Sequence, residues 1–164
     1  MSSTVRNRRR SPSSRPSLIR TLMNRPSLIS ARGTRLAVYA LLVIGAVLTI
    51  LAGLLHLKLW GGQTGYHVVP TIGPLFLIQA ISGIALGLIL LVTMRLFVVL
   101  ACFGLMAGTA LGLFLSVQVG LFGFQETWGA PYAKSSVIVE IVGAVLLLAA
   151  AIPLAMARGS KNAG

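Results

Sequence analysis

Charged residues are scarce in this sequence. They make up 10% of its 164 residues, and only two of them are acids, Glu126 and Glu140. A typical soluble domain has about 25% charged residues. Hydrophobic residues make up 56%, and the mean hydropathy is +0.92. A soluble domain of this size cannot bury so much apolar surface, whereas lipid covers apolar faces in a bilayer. The composition therefore argues against a soluble domain and predicts an integral membrane protein.

Cysteine and histidine are also rare. Cys102 is the single cysteine, which excludes an internal disulfide and any metal site built from several cysteines. The two histidines, His56 and His67, could together hold one metal ion or one haem, but no metal-ligand spacing such as HExxH is present. Walker, Rossmann and GxSxG motifs are absent as well. We therefore expect no metal, no cofactor and no catalytic residue.

Most of the positive charge lies at the start of the chain. Nine of the 14 basic residues precede the first apolar run: Arg6, Arg8, Arg9, Arg10, Arg15, Arg20, Arg25, Arg32 and Arg35. Residues 1–34 are rich in Arg, Ser and Pro, which predicts a disordered tail. The alternative is a segment lying on the membrane surface, because Leu18, Ile19 and Leu22 would share one helix face. Either way, we expect these arginines to contact anionic lipids. Specific nucleic-acid binding is not expected, since the charge is confined to the tail.

Four long apolar runs follow, and each predicts a membrane-spanning helix. They cover about residues 36–57, 71–94, 96–118 and 135–157, and none contains Lys, Arg or Asp. At about 1.5 Å per residue, the first run spans roughly 33 Å, enough to cross the hydrocarbon core. It is longer than the apolar part of a cleaved signal peptide, so we interpret it as retained. The sequence thus predicts an all-α, membrane-embedded four-helix bundle over residues 35–158.

The positions of lysine and arginine predict how the chain crosses the membrane. Besides the tail arginines, Arg95 lies between the second and third helices, and two basic residues follow the fourth. Only Lys58 and Lys134 lie at the opposite helix ends. Basic residues collect on the cytoplasmic side of membrane proteins. We therefore expect up-down-up-down topology with cytoplasmic N and C termini, residues 159–164 being a short cytoplasmic segment.

Apart from hydroxyl-bearing side chains, each apolar run contains one polar residue: His56, Gln79, Gln118 and Glu140. All four are expected in the outer half of the bundle. A carboxylate is costly in lipid, so Glu140 should face other helices, neutral if alone and ionised only beside a cation such as His56. One interpretation is structural, with hydrogen bonds that fix the helix register. The other is functional, with Glu140 and His56 forming a proton-exchanging or ligand-binding pair.

Glycines spaced four residues apart form the clearest pattern in the apolar runs: Gly83 and Gly87 in the second, and Gly104, Gly108 and Gly112 in the third. This spacing lets another backbone approach closely. It predicts tight helix packing, either within the chain or between protomers. Because a tight turn joins the second and third helices, packing between those two is the favoured interpretation.

One part of the chain is similar to a known group of proteins. The stretches 56–60 (His-Leu-Lys-Leu-Trp), 65–66 (Gly-Tyr) and 70–79 (from Pro-Thr-Ile to Ile-Gln) resemble the first hairpin of small four-helix membrane proteins of actinobacteria. Glu140 in the last helix fits the same pattern. The resemblance covers about residues 36–157. It implies four-helix topology and a bacterial plasma membrane, and it implies no activity.

The function that the sequence favours is that of a non-enzymatic accessory or interaction component of the plasma membrane. The glycine faces and the basic tail would make its contacts, with a membrane-protein partner, a second copy of the chain or anionic lipid. One alternative is a small proton-coupled transporter component that uses Glu140 and His56. Another is a redox or quinone-linked subunit that uses the histidines.

Overall fold

A computed structural model describes residues 32–62 and 65–159 and contains four long helices within them. We name them α1 (Arg32–Gly61), α2 (Ile72–Thr93), α3 (Leu96–Gln118) and α4 (Ala133–Gly159). A short 3₁₀ helix, Tyr66–Val68, lies between α1 and α2. Each of the four long helices is long and apolar enough to cross a membrane. The prediction of an all-α protein with four helices long and apolar enough to span a membrane is confirmed for the described residues.

The helix bounds differ from the predicted runs mainly in α1 and α4. The helix α1 extends about one turn beyond the predicted run at each end, because the flanking residues include no proline to end the helix. The helix α4 begins at Ala133, directly after Pro131 and Tyr132. It continues past Pro153, which neither ends the helix nor marks its last turn. Hydropathy locates the part of a helix that lipid covers, and a helix can continue beyond it into the interface.

Two helices begin in the same way after a proline. Thr71 follows Pro70 at the start of α2, and Tyr132 follows Pro131 at the start of α4, each with a φ of 64°. A positive φ is uncommon for residues with a side chain, and here it occurs at the residue after a proline, at or just before the start of each helix. The turn between α2 and α3 contains another such residue, Met94, with a φ of 48°.

The helices do not pack equally against one another. The largest contact is between α1 and α2, followed by those of α3 with α4 and of α1 with α4. The contact between α2 and α3 is much smaller. A short turn therefore makes α2 and α3 neighbours in sequence without packing them closely along their length. The four helices form an incomplete ring in the order α2, α1, α4, α3, which is loosest between α2 and α3.

A tightly packed apolar core fills one half of the bundle. It joins residues from the start of α1, the end of α2, the start of α3 and the end of α4, including Leu42, Leu90, Val99, Cys102 and Leu154. We call this half the turn end, because the Met94–Arg95 turn lies there. The opposite half, which the segments between α1 and α2 and between α3 and α4 cover, is the loop end. The polar residues of the loop end therefore lie outside this core, in the other half of the bundle.

The glycines of α2 pack against α1. A methyl group added at Gly83 would lie 3.0 Å from the carbonyl oxygen of Thr49, and one added at Gly87 would lie 2.9 Å from that of Ala46. Gly53, on the facing side of α1, is equally close to the backbone of α2. Close backbone approach requires small residues on both helices. The expected neighbour was α3, and the observed neighbour is α1.

The glycines of α3 have a different environment. A methyl group added at Gly104, Gly108 or Gly112 would meet no atom within 4 Å among the described residues. Within the described chain, these three glycines therefore do not bring another helix into close contact, and packing between protomers stays a prediction. They lie beside the gap between α2 and α3, where they border a cavity.

The basic tail falls largely outside the described residues. The predicted lipid contacts from Arg6 to Arg25 lie there, as does Lys161. Arg32 begins α1, and the side chain of Arg35 is exposed near the start of that helix. The expected contacts with anionic lipids therefore stay a prediction.

Candidate functional site

A cavity of about 380 Å³ lies between the helices at the loop end. All four long helices contribute to its wall, which is mostly apolar. Its polar wall residues are His56 from α1, Gln79 from α2, Thr109 and Ser116 from α3, Ser136 and Glu140 from α4, and Tyr66 and Glu126 from the two segments that join the helices at this end. This volume and this combination of an apolar wall with a few polar groups are typical of small-molecule binding sites.

His56 and Glu140 form the centre of the polar wall. Their side chains are almost completely buried, and Nε2 of His56 lies 3.8 Å from Oε1 of Glu140. The Nδ1 atom of His56 lies 2.9 Å from the carbonyl oxygen of Ala52. A carbonyl can only accept, so Nδ1 carries the proton of this bond. The Nε2 atom therefore faces Glu140, either as a bare acceptor or as an N–H when the ring is protonated.

Several buried polar atoms of the cavity have no hydrogen-bond partner among the described residues. They are both carboxyl oxygens of Glu140, Nε2 of Gln79 and Oγ of Ser136. Buried polar groups are nearly always hydrogen-bonded in folded proteins, because an unpaired one costs about 1–3 kcal/mol. Ser136 precedes Glu140 by one helical turn, so the two share a face of α4. Together with Gln79 of α2, these residues border the same cavity.

The structure places three of the four expected polar residues together and leaves out the fourth. His56, Gln79 and Glu140 border the same cavity, whereas Gln118 is exposed and does not border it. The α3 residue that takes its place is Ser116, which is buried. Ser116 is one turn beyond Gly112 on the glycine face of α3. The four-residue spacing was therefore a signal that Ser116, and not Gln118, faces the bundle.

The glycine face of α3 forms one side of the cavity. Gly104, Gly108 and Gly112 all border it, and Gly104 and Gly108 are also exposed at the surface of the bundle. Since a side chain at these positions would meet no neighbouring atom, the glycines widen the cavity where it meets the gap between α2 and α3. Sequence reasoning recognised the pattern and assigned it to helix packing.

Residues of the two loops cover the cavity at the loop end. The buried ring of Tyr66 stacks on Phe76 at a centroid distance of 4.7 Å and meets Phe124 edge-on at 5.9 Å. Its hydroxyl group donates a hydrogen bond of 2.5 Å to Oε2 of Glu126. A tight turn at Gly123, with a φ of 77°, brings the chain back so that Phe124 and Glu126 reach this position. Sequence reasoning had not linked Tyr66 to Glu126.

The surroundings of Tyr66 keep its hydroxyl group protonated. Burial raises the pKa of Tyr66 above its ordinary value of 10.0, and the hydrogen bond to the Glu126 carboxylate and the charge of that carboxylate raise it further. The neutral hydroxyl is therefore a donor over the whole physiological range. It ties the segment after α1 to the segment after α3.

A second contact joins the helices at the loop end. Nζ of Lys58 donates a hydrogen bond of 2.7 Å to the hydroxyl oxygen of Tyr132 and lies 4.6 Å from the centre of that ring. This pair is exposed, so its contribution to stability is small. His67, the other histidine, also lies outside the cavity: its Nδ1 is 3.0 Å from the Trp60 carbonyl oxygen.

The cavity can bind a polar group that both donates and accepts hydrogen bonds. Glu140 offers two acceptor oxygens, Gln79 offers an amide donor, and Ser136 offers a hydroxyl that can act as either. His56 can supply or take up a proton beside Glu140. Around these groups the wall is apolar, so the remainder of a bound molecule would contact hydrocarbon side chains.

No protein-family model, curated protein or solved structure shows a significant match to this chain. The resemblance to small four-helix proteins of actinobacteria therefore stays a prediction.

Proposed function

We propose that this multi-pass protein crosses the bacterial plasma membrane with up-down-up-down topology and that the turn end faces the cytoplasm. The core supports this arrangement, because it joins the start of α1 and α3 to the end of α2 and α4. The charge of the described residues supports the orientation: Arg32, Arg35 and Arg95 lie toward the turn end, whereas Lys58 and Lys134 lie toward the loop end. Reporter fusions at the tail and at the Arg95 turn should give the same cytoplasmic signal. Opposite signals would contradict the proposal.

We further propose that the protein is a non-enzymatic component that binds a small, largely apolar molecule through the His56–Glu140 pair. The observation that carries this proposal is the buried carboxyl group of Glu140, whose two oxygens have no hydrogen-bond partner among the described residues and border a cavity of about 380 Å³. A carboxyl group in this position is costly unless something satisfies it. A bound molecule with a polar end would supply the missing hydrogen bond, and its apolar part would fill the rest of the cavity.

The direct test is to identify what the protein retains during purification. The full chain is extracted from its native membrane in a mild detergent, and small molecules released from it are identified by mass spectrometry. We expect one compound, or one series of related compounds, at close to one molecule per chain. The Glu140→Leu variant, which lacks both carboxyl oxygens, should lose it, whereas Gln118→Leu, at an exposed position outside the cavity wall, should retain it. Equal retention by both variants would contradict the proposal.

A second candidate is proton-coupled transport, which the distance of 3.8 Å between His56 and Glu140 favours. The two groups could exchange a proton as a substrate binds and leaves. In proteoliposomes, Glu140→Gln should then abolish pH-driven uptake of the compound identified above, without lowering the amount of inserted protein. If the variant fails to accumulate in the membrane, Glu140 has a structural role and this candidate is wrong.

A further inference from the structure

The cavity extends to the side of the bundle between α2 and α3. Leu75 and Ile78 of α2 border the cavity and are 40% and 58% exposed. Across the gap, Gly104 and Gly108 of α3 border it and are exposed too. Residues that border a cavity and also reach the outer surface mark the rim of an opening. This rim lies within the apolar spans Ile72–Thr93 and Leu96–Gln118, so the opening faces hydrocarbon.

The loop end is more closed than the side. Tyr66 is 8% exposed, and its ring contacts Phe76 and Phe124 above the cavity. Its hydroxyl group is bonded to Glu126 of the other loop. A molecule coming from water would have to part this contact between the loops. A molecule dissolved in the bilayer would meet an opening in which α3 presents glycines instead of side chains.

The polar groups at the inner end of this opening define the ligand's polar end. A hydroxyl group can donate to a carboxyl oxygen such as those of Glu140 and can accept from an amide N–H such as Nε2 of Gln79. Both side chains are buried and border the cavity, and these atoms lack a partner among the described residues. An ether or a hydrocarbon could not donate. A strongly hydrated ion would lose its water shell on passing through lipid.

We infer that the gap between α2 and α3 is an entrance from the bilayer, in which Gly104 and Gly108 leave room for the apolar body of a lipid-soluble alcohol or phenol whose hydroxyl group reaches Glu140 and Gln79. This inference rests on the proposed ligand site and adds the route and the chemical class. The entrance between α2 and α3 and the alcohol or phenol class can each be contradicted while the proposed ligand site still holds.

The test uses a photoreactive alcohol on the full chain in liposomes. The probe is 3-azioctanol, and the labelled residues are mapped by peptide mass spectrometry. We expect labelling on cavity residues that excess 1-octanol prevents. Octyl methyl ether, which has no hydroxyl donor, should compete about three- to tenfold less well, the factor that the loss of one hydrogen bond gives. In Glu140→Leu, which removes both acceptor oxygens, the preference for 1-octanol over the ether should largely disappear.

Substitutions on α3 then test the route. Gly108→Leu and Gly104→Leu should each abolish the competed labelling, because leucine occupies the space beside the gap. A Cβ atom at either position would meet no atom within 4 Å, so we expect the variants to fold, and having two keeps the test valid if one does not. The matched control is Ala110→Leu, on the same helix but outside the cavity wall, which should label like the wild type.

Three results would contradict the inference, and they differ in what they overturn. Unchanged labelling in both glycine variants, with competition intact, would show that the site exists and that the α2–α3 gap is not its entrance. Equal competition by octanol and its ether would overturn the alcohol or phenol class. Labelling that 1-octanol does not prevent, or that spreads evenly over the lipid-facing residues, would overturn the proposed site together with the inference.

Discussion

Replacing Gly53 with alanine should weaken the packing of α1 against α2. A methyl group at this position would lie 2.9 Å from both the carbonyl oxygen of Ala80 and the amide nitrogen of Ile84. Both atoms belong to the backbone of α2, so neither can turn aside as a flexible side chain would. To restore an ordinary contact of 3.4 Å, the two helices would have to separate by about 0.5 Å at their closest point.

The size of the effect follows from comparison with an open glycine. Overpacking a well-packed interface costs about 1–3 kcal/mol. Alanine also favours a helix over glycine by up to about 1 kcal/mol, which partly hides this cost in a single variant. Gly104→Ala gains the same helical preference and meets no neighbouring atom. The difference between the two variants cancels that gain, so Gly53→Ala should be less stable than Gly104→Ala by about 1–3 kcal/mol.

The assay is reversible unfolding of the full chain in mixed detergent micelles, followed by helical circular dichroism. The free energy of unfolding is compared for the wild type and the two alanine variants at one detergent composition. If Gly104→Ala proved as destabilising as Gly53→Ala, the assignment of close approach to α1–α2 and of open space to the α3 face would be refuted.

Three further predictions concern the loop end, the polar wall and the tail. Burial and Glu126 raise the pKa of Tyr66 above 10.0, so the folded state holds this proton more tightly than the unfolded state. The resulting stabilisation is complete below about pH 10 and is lost as the pH rises above that value. In unfolding experiments, Tyr66→Phe should therefore reduce the loss of stability at alkaline pH. Gln79→Ala should weaken competition by 1-octanol against 3-azioctanol about three- to tenfold, as the loss of one neutral hydrogen bond predicts, whereas the exposed Gln118→Ala should have no effect; equal effects would contradict the assignment of the cavity wall. A peptide of residues 1–34 should bind vesicles rich in anionic lipid, gaining about 1 kcal/mol for each basic residue near the surface and losing this with added salt; equal binding to neutral vesicles would contradict an electrostatic contact.

The spans could be predicted from the sequence because their determinants are local. An uncharged stretch long enough to cross hydrocarbon has to form a helix, since only a helix satisfies its own backbone there. The bounds of α3 at Leu96 and Gln118 agree with the predicted run. The extension of α1 to Arg32 and Gly61 was missed because helical hydrogen bonds do not stop where hydropathy does. The ring of Tyr66 contacts Phe124, which lies far along the chain, and no local pattern predicts that contact.

The neighbours of each helix could not be predicted, because glycine spacing shows that a face is small and not what covers it. Gly83 and Gly104 have the same i, i+4 pattern in sequence, yet one contacts α1 and the other borders a cavity. Polarity alone also selected Gln118, although a position two residues from Ser116 points to a different side of α3. Glu140 was recognisable from the sequence because a lone carboxyl group in an apolar run has few stable environments.

The central claim is that the carboxyl group of Glu140 binds the polar end of a ligand. Because Glu126 and Glu140 are the only acidic side chains, infrared difference spectroscopy can observe the carboxyl bands of these two residues with little overlap from other side chains. Addition of 1-octanol to the full chain in liposomes should shift a carboxyl band that is absent in Glu140→Gln and retained in Glu126→Gln. An unchanged carboxyl region, or a shift that disappears only in Glu126→Gln, would contradict the account.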